Sequence, residues 1–267
     1  MNRAIHVTLG LFLAIFLVAI AGQTAEALTA DDIFKKASAQ YGLFTSAFKD
    51  MTIEREMTLT QGNVKVLTTI MRKGNKYRIE TKGGIPGGAA GAQMPDMKTV
   101  VVFDGKETWM TNPMTGKKKL TGAEAKEKSP EGHWTDSLKG RLSLLGKEMV
   151  GDRNAWVFDV KQDDNSKEQS ALSKLWVDTK NYWMLKAITK TAGTVMESQM
   201  SDFRKVKGDY SMPFKQKIFA DGVLQATSLI KSIKTNTGLS DDLFDASKLE
   251  SKGAGVGDIL KWGLQGN

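Results

Sequence analysis

The sequence contains no cysteine and only two histidines, His6 and His133. Without cysteine the chain forms no disulfide, builds no cysteine metal site and receives no lipid at an N-terminal cysteine. One histidine beyond the N-terminal segment is too few for a transition-metal site. We therefore expect no cofactor, no metal and no enzyme activity. A hydrolase that uses His133 stays as an alternative, although Asp136 and Ser137 beside it do not form a triad by sequence proximity alone.

Long apolar runs are also scarce, and the one present lies at the N-terminus. Val7 to Ile20 is almost wholly apolar, Arg3 precedes it, and Ala25-Glu26-Ala27 follows it. This order is typical of a secretory signal peptide. The alternative, a membrane anchor, is disfavoured because the run has about 14 residues and a spanning helix needs ~20. We predict a signal peptide over residues 1–27, cleaved after Ala27, and export from the cytoplasm.

The net charge is +8, and the basic residues are spread over many segments. Such a charge provides solubility, and it also favours attraction to anionic lipid headgroups or to an acidic partner. A nucleic-acid partner is not expected, because the lysines are not gathered on one helix. An exported protein would also be separated from the nucleic acids of the cytoplasm.

Helical periodicity is confined to two places. Residues 28–44 carry apolar side chains at helical spacing, and Thr29 with Asp32 forms a capping-box pattern at the start. Residues 121–145 contain a polar linker and a second predicted helix, with Trp134, Leu138, Leu142 and Leu145 on one face. The segment Gly83 to Ala92 is small and uncharged and predicts a long loop.

Most of the remaining chain alternates between apolar and polar residues, beginning near Met51. Short turns such as Gln61-Gly62-Asn63 and Asp221-Gly222 separate about eleven strand-like runs, which predicts an antiparallel meander. A long sheet with one apolar face must hide that face. We therefore predict a mainly β protein, an incomplete, half-open antiparallel barrel of about eleven strands covered by a helical lid.

Four segments carry short motifs, in residues 72–79, 102–113, 175–178 and 239–244, that together resemble the LolA-like outer-membrane lipoprotein-sorting proteins. Residues 102–113 (VFDGKETWMTNP) are similar to the family's SDGK-x-x-W-x-Y-N-P segment, and residues 72–79 (RKGNKYRI) are similar to its K-R-P-N-x-F-x-W strand entry. Residues 175–178 (LWVD) resemble its WVD hairpin, and residues 239–244 (LSDDLF) resemble its L-x-D-x-x-F ending. The order of the segments also matches, and the resemblance covers roughly Leu28 to Leu249.

The resemblance implies a carrier domain over residues 28–250, followed by a tail over residues 251–267. It implies a periplasmic, chaperone-like carrier that holds acyl chains of lipoproteins or other lipids in an apolar cavity. Inner-membrane donor proteins, outer-membrane acceptor proteins and transient membrane contact are the expected partners. The alternative is a sensor or binding module of the same fold that contacts a membrane-protein partner. Methionine, of which the chain has thirteen, suits a cavity for variable apolar shapes.

The predicted cavity residues are apolar side chains on the strands and on the second helix. They are Ile53, Met57, Leu59, Val66, Phe103, Trp109, Trp134, Leu138, Met200 and Ile218.

Three basic residues are predicted to latch the lid or to bind a headgroup: Arg55, Arg72 and Lys73. In the family motif K-R-P-N-x-F-x-W, the resemblance implies that the arginine latches the lid. Lys73 occupies the position of that arginine here, and Gly74 occupies the position of the proline that follows it. The alternation puts Arg55 on the apolar side of its strand, where a charge needs a lid carboxylate or a ligand phosphate or carboxylate. The alternative is that the register of this strand slips near its start, so that the Arg55 side chain is exposed to solvent.

Overall fold

The computed structural model describes residues 28–83, 97–113, 115–128, 138–162, 170–191, 193–207 and 210–249. The predicted signal peptide, most of the Gly83 to Ala92 loop, Trp134, His133 and the tail lie outside the described residues. The helices are α1 (Ala30–Ser46) and α2 (Gly122–Glu127). The strands are β1 (Asp50–Leu59), β2 (Val64–Lys73), β3 (Lys76–Gly83), β4 (Met97–Phe103), β5 (Thr108–Asn112), β6 (Gly116–Leu120), β7 (Leu142–Val150), β8 (Arg153–Val160), β9 (Ser170–Asp178), β10 (Met184–Thr191), β11 (Thr194–Lys207), β12 (Tyr210–Ala220) and β13 (Val223–Thr235).

All of these strands belong to one antiparallel sheet, in the order β6-β5-β4-β3-β2-β1-β13-β12-β11-β10-β9-β8-β7. The chain runs outward from β1 to β6, continues at the far edge with β7, and returns to β13, which pairs with β1. The two edges, β6 and β7, are not paired with each other in the described residues. The sheet is therefore open, which agrees with the predicted mainly β, unclosed architecture, whereas the helical lid stays a prediction.

The described residues form thirteen strands in this sheet, whereas about eleven were predicted, and the two strands that were missed are β6 and β7 at its edges. Strand β6 has the sequence GKKKL, in which three successive lysines erase the alternation. Strand β7 includes Leu142 and Leu145, which were predicted to lie on the second helix. An edge strand has one neighbour and little buried surface, so its sequence need not alternate.

Helix α1 begins as the sequence predicts. The Thr29 hydroxyl accepts a hydrogen bond from the Asp32 backbone N–H at 3.1 Å, and the Asp32 carboxylate accepts one from the Thr29 N–H at 3.1 Å. This reciprocal pair satisfies two backbone donors at the helix start. Ile33 and Ala37 then face inward and are almost fully buried, which confirms the predicted apolar face.

The core is concentrated at the β8–β10 end of the sheet, where both faces are covered. On one face Ile33 and Ala37 of α1 pack against a cluster that includes Trp156, Phe158 and Leu175. The other face carries a second cluster of Ala155, Val157, Trp176 and Leu185. Strands β8 to β10 therefore carry buried apolar side chains on both faces, and α1 covers one of the two faces.

No helix in the described part of the chain combines the length and the apolar character needed to cross a membrane.

A buried carboxylate holds the end of β13 against the start of β1. Asp50 is 5% exposed. Its carboxylate accepts hydrogen bonds from the Thr237 N–H at 2.7 Å and the Gly238 N–H at 2.9 Å. Burial opposes ionisation of this group, but the hydrogen bonds from Thr237, Gly238 and Leu239 outweigh burial and hold the pKa of Asp50 below its usual value.

We expect Asp50→Asn to destabilise the protein near neutral pH and to have little effect in acid. A carboxyl whose pKa is depressed by folding stabilises the folded state above its unfolded pKa, and that contribution is lost as the pH falls through the folded pKa. Thermal unfolding of both proteins at about pH 7 and about pH 3 measures the effect. An equal difference in melting temperature at both pH values would contradict this role for the charge.

Candidate functional site

The register of the sheet identifies which side chains share the face that carries α1, here called the helix face. Residues directly opposite each other on neighbouring strands point to the same face. Starting from Leu175, which packs against α1, one unbroken row of paired residues crosses seven strands. The row is Leu175, Ala187, Ser198, Ile218, Ala226, Leu59 and Val64. The helix face therefore extends from the α1 core across the centre of the sheet.

Five of the predicted cavity residues lie together on the central part of the helix face. They are Met57, Leu59, Val66, Met200 and Ile218, here called the apolar strip. Met57 pairs with Val66 on β2. Met200 lies in the same row three strands away from Met57, with Ser228 and Gln216 between them. All five side chains are half-buried. None belongs to the four packed clusters of the described residues, so apolar surface is left available there.

Three other predicted cavity residues lie in packed parts of the structure outside the apolar strip. Ile53 is buried with Phe48 and Met51 beside the strip. Phe103 stacks on Tyr77 with ring centroids 5.4 Å apart, and the two are paired across β3 and β4. Leu138 is buried in the cluster that contains α1. These three residues are therefore held in contacts of their own and are not part of the strip.

Trp109 lies on the other side of the sheet, here called the opposite face. There it packs with Val100 and Val102 of β4 against Ala246 and Leu249. It is therefore separated from the apolar strip by the thickness of the sheet.

The opposite face is where the chain after β13 is held. This segment forms two short 3-10 turns, Asp241–Phe244 and Ala246–Lys248, and Phe244 is 1% exposed. The Lys73 ammonium donates to the Leu239 carbonyl and to the Asp241 carboxylate, both at 2.9 Å. The structure thus places Lys73 against the C-terminal segment. Arg72 donates from Nε to the Gly74 carbonyl at 2.9 Å.

Further basic residues of β3 complete this attachment, and sequence reasoning did not identify them. Lys76 donates to Asp241 at 3.0 Å, and Arg78 donates to the Leu243 carbonyl at 3.1 Å. Hydrogen bonds from Lys73 and Lys76 hold the pKa of Asp241 below its usual value. Two sequence features could have indicated this attachment, namely the basic residues between Lys73 and Arg78 and the acidic pair Asp241-Asp242.

Arg55 lies on the helix face, between Ile53 and Met57 along β1. It is paired with Thr68 on β2 and with Ile230 on β13, and its side chain is half-buried. Burial lowers the pKa of the Arg55 guanidinium. Its Nε is buried and has no hydrogen-bond partner.

A cleft of about 350 Å³ lies on the opposite face, between β1, β2, β3 and β13. Its lining includes the charged residues Glu56, Glu80, Lys82 and Lys231, and Arg55 and Thr68 also border it. These charges are largely paired, since Glu56 lies 3.8 Å from Lys231 and Glu80 lies 3.0 Å from Lys98. Charged side chains at its rim distinguish this cleft from the apolar strip on the helix face.

The described residues contain no group of three or more histidine, cysteine, aspartate or glutamate side chains that could hold a metal ion.

Two of the solved structures that match this chain illustrate the shared architecture. A DUF1329 family protein from Desulfovibrio piger aligns with a TM-score of 0.58 at 14% identity, over 84% of this chain and 100% of that chain. A putative outer membrane lipoprotein-sorting protein domain from Vibrio parahaemolyticus aligns with a TM-score of 0.54 at 15% identity, over 81% of this chain and 96% of that chain. At these identities the likeness concerns the fold.

No curated protein matches the chain. A family model whose description reads "Uncharacterized protein" matches residues 106–251, more than half of the 267 residues. The chain belongs to the family that this model describes, and its fold is the LolA-like half-barrel fold that the sequence resemblance predicted.

Proposed function

We propose that this protein is a periplasmic carrier that binds acyl chains of lipoproteins or other lipids on the helix face. It would move them from the inner membrane toward the outer membrane. The observation that carries the proposal is the apolar strip, five half-buried apolar side chains outside the packed clusters of the described residues. The shared fold with a putative lipoprotein-sorting domain supports lipid binding.

The energetics of an acyl chain suit such a surface. Each CH₂ removed from water contributes roughly 0.8 kcal/mol to the transfer free energy. For a sixteen-carbon chain the sum is about 12 kcal/mol, which opposes the passage of the free chain through water. Met57 and Met200 are flexible, polarisable side chains that adapt to chains of different shape. A half-open sheet lets the chain enter from the side and leave again.

The proposal includes export and partners. The N-terminal segment with the pattern of a signal peptide supports a location outside the inner membrane. The net charge of +8 supports transient contact with anionic membrane surfaces. An inner-membrane donor and an outer-membrane acceptor would load and unload the carrier.

Extraction of lipid from vesicles tests this function. The mature protein is mixed with vesicles that contain a radiolabelled palmitoyl lipid, and the vesicles are removed by flotation. We expect label to remain in solution with the protein in a ratio near one lipid per chain. Label that stays wholly with the vesicles at every protein concentration contradicts the carrier function.

The second candidate function, a module that binds a membrane-protein partner, is supported by the β7 edge. This strand pairs only with β8 in the described residues, and Leu145 and Met149 on it are 57% and 59% exposed. An exposed edge can accept a strand from a partner. In the vesicle assay such a module would leave the lipid in the membrane.

A further inference from the structure

Arg55 is a charged residue inside the apolar part of the helix face. Its neighbours two positions away along β1 are Ile53, which is buried, and Met57 of the apolar strip. Its paired neighbour on β13 is Ile230, which packs with Ile53. A guanidinium keeps its charge in such a place, because even a lowered pKa leaves it protonated at neutral pH.

The described residues give this charge no anion. Arg55 has no ion pair or hydrogen bond among them, and its buried Nε is unsatisfied. The adjacent carboxylates, Glu54 and Glu56, project from the opposite face. There Glu54 accepts a hydrogen bond from the Ser232 hydroxyl at 2.7 Å, and Glu56 lies 3.8 Å from Lys65. A buried donor without a partner is costly, so the Arg55 Nε favours a ligand that brings an acceptor.

Hydroxyl groups line the same row of the sheet. Arg55 pairs with Thr68, Thr68 pairs with Thr81, and Thr81 pairs with Thr99. All four residues therefore share the helix face, and Thr68 is 7% exposed. Threonine hydroxyls donate hydrogen bonds to carboxylate or phosphate oxygens, and arginine binds such groups with two parallel N–H donors.

We propose that Arg55, assisted by Thr68 and Thr81, binds the anionic head group of an acyl-chain ligand, a carboxylate or a phosphate, while the hydrocarbon lies along the apolar strip. This inference rests on the proposed lipid-binding function and adds the chemical class of the ligand. The polar row lies directly beside the row of Met57 and Val66, so one ligand can contact both. The occupant is therefore an anionic lipid rather than a neutral one.

Arg55→Met, which keeps most of the side-chain volume and removes the charge, tests the assignment. Binding of palmitate and of hexadecanol is measured for both proteins, since the two ligands differ only in the charged end. We expect the substitution to weaken palmitate binding roughly 10- to 100-fold and to leave hexadecanol binding unchanged. Arg204→Met is the matched control, because Arg204 is an exposed helix-face arginine that already pairs with Asp202 at 2.6 Å. The control removes the same charge and should bind both ligands normally.

The outcomes separate this inference from the function on which it rests. If wild-type protein binds neither ligand, the lipid-binding function fails. If Arg55→Met binds palmitate as tightly as wild type does, the head-group site is overturned and lipid binding stands. Phosphatidylglycerol and diacylglycerol form a second charged and neutral pair. A stronger effect of Arg55→Met on phosphatidylglycerol than on palmitate assigns the site to phosphate, and the reverse assigns it to carboxylate.

Thermal unfolding of the ligand-free variant supplies a readout that does not depend on a ligand. Because Arg55 is unpaired in the described structure, Arg55→Met should melt at the same or a higher temperature than wild type. A large fall in melting temperature would mean that Arg55 has a structural anion partner, and it would contradict the head-group site.

Discussion

Met200→Glu is expected to reduce acyl-chain affinity by roughly 100-fold or more, because it places an unpaired carboxylate against the hydrocarbon. Met200 is half-buried on the helix face, within the apolar strip. A bound chain would have to desolvate the new charge, or else leave this part of the strip to water. Titration with a fluorescent fatty acid measures the loss directly.

Ser201→Glu is the matched control, one residue further along β11. Ser201 is exposed and paired with Lys215 on the opposite face, so a glutamate there meets a lysine and no ligand. It adds the same charge to the same strand, and acyl-chain affinity should stay within about twofold of wild type. If both variants bind equally well, or if both lose binding while remaining folded, the helix face is not the acyl-chain site.

Phe244→Ala is expected to lower the free energy of unfolding by about 3–5 kcal/mol, the usual cost of removing a fully buried phenylalanine. Phe244 is 1% exposed and lies in the 3-10 turn that Lys73, Lys76 and Arg78 hold on the opposite face. Chemical denaturation measures the change. Protein that remains folded should bind acyl chains normally, because the turn and the apolar strip lie on different faces.

Asp242→Asn in the same turn serves as the comparison. The Asp242 side chain is 72% exposed, and its partner Lys248 lies 2.7 Å away. Loss of an exposed ion pair should change the free energy of unfolding by less than about 1 kcal/mol. If Phe244→Ala is as mild as Asp242→Asn, the C-terminal turn is not packed as described. If folded Phe244→Ala loses acyl-chain binding, the C-terminal segment belongs to the site.

Local sequence patterns predicted the elements whose side chains meet a buried layer. The pair Thr29 and Asp32 located the start of α1 because capping depends only on residues three apart. The central strands were recognised because one face of each is buried and the alternation follows from that burial. The two edge strands were not predicted because they bury little surface, and their sequences therefore do not alternate. Strand β6 is lysine-rich, and strand β7 exposes Leu145 and Met149.

The candidate site was predicted where it depends on alternation within a strand. Met57, Leu59 and Val66 share the helix face because residues two apart on a strand do so. Arg55 follows the same rule, and the structure places it inward as the alternation indicated. Trp109 obeys the alternation too, but nothing local in β5 shows which of the two faces it joins.

The attachment of the C-terminal segment could not be read from the sequence. It depends on contacts between Lys73 and Asp241, which lie 168 residues apart. The resemblance assigned the Lys73 position to a latch, and local chemistry cannot say which segment a lysine will meet. Only the three-dimensional structure shows that this lysine donates to the chain after β13.

Native mass spectrometry of the mature protein, purified from the periplasm without detergent and followed by lipid extraction, tests the central claim most directly. We predict a defined adduct of lipid mass, which extraction releases as an anionic acyl lipid and which is reduced in Met200→Glu but not in Ser201→Glu. A clean mass of the protein alone, with no adduct after incubation with lipid vesicles, would contradict the carrier function.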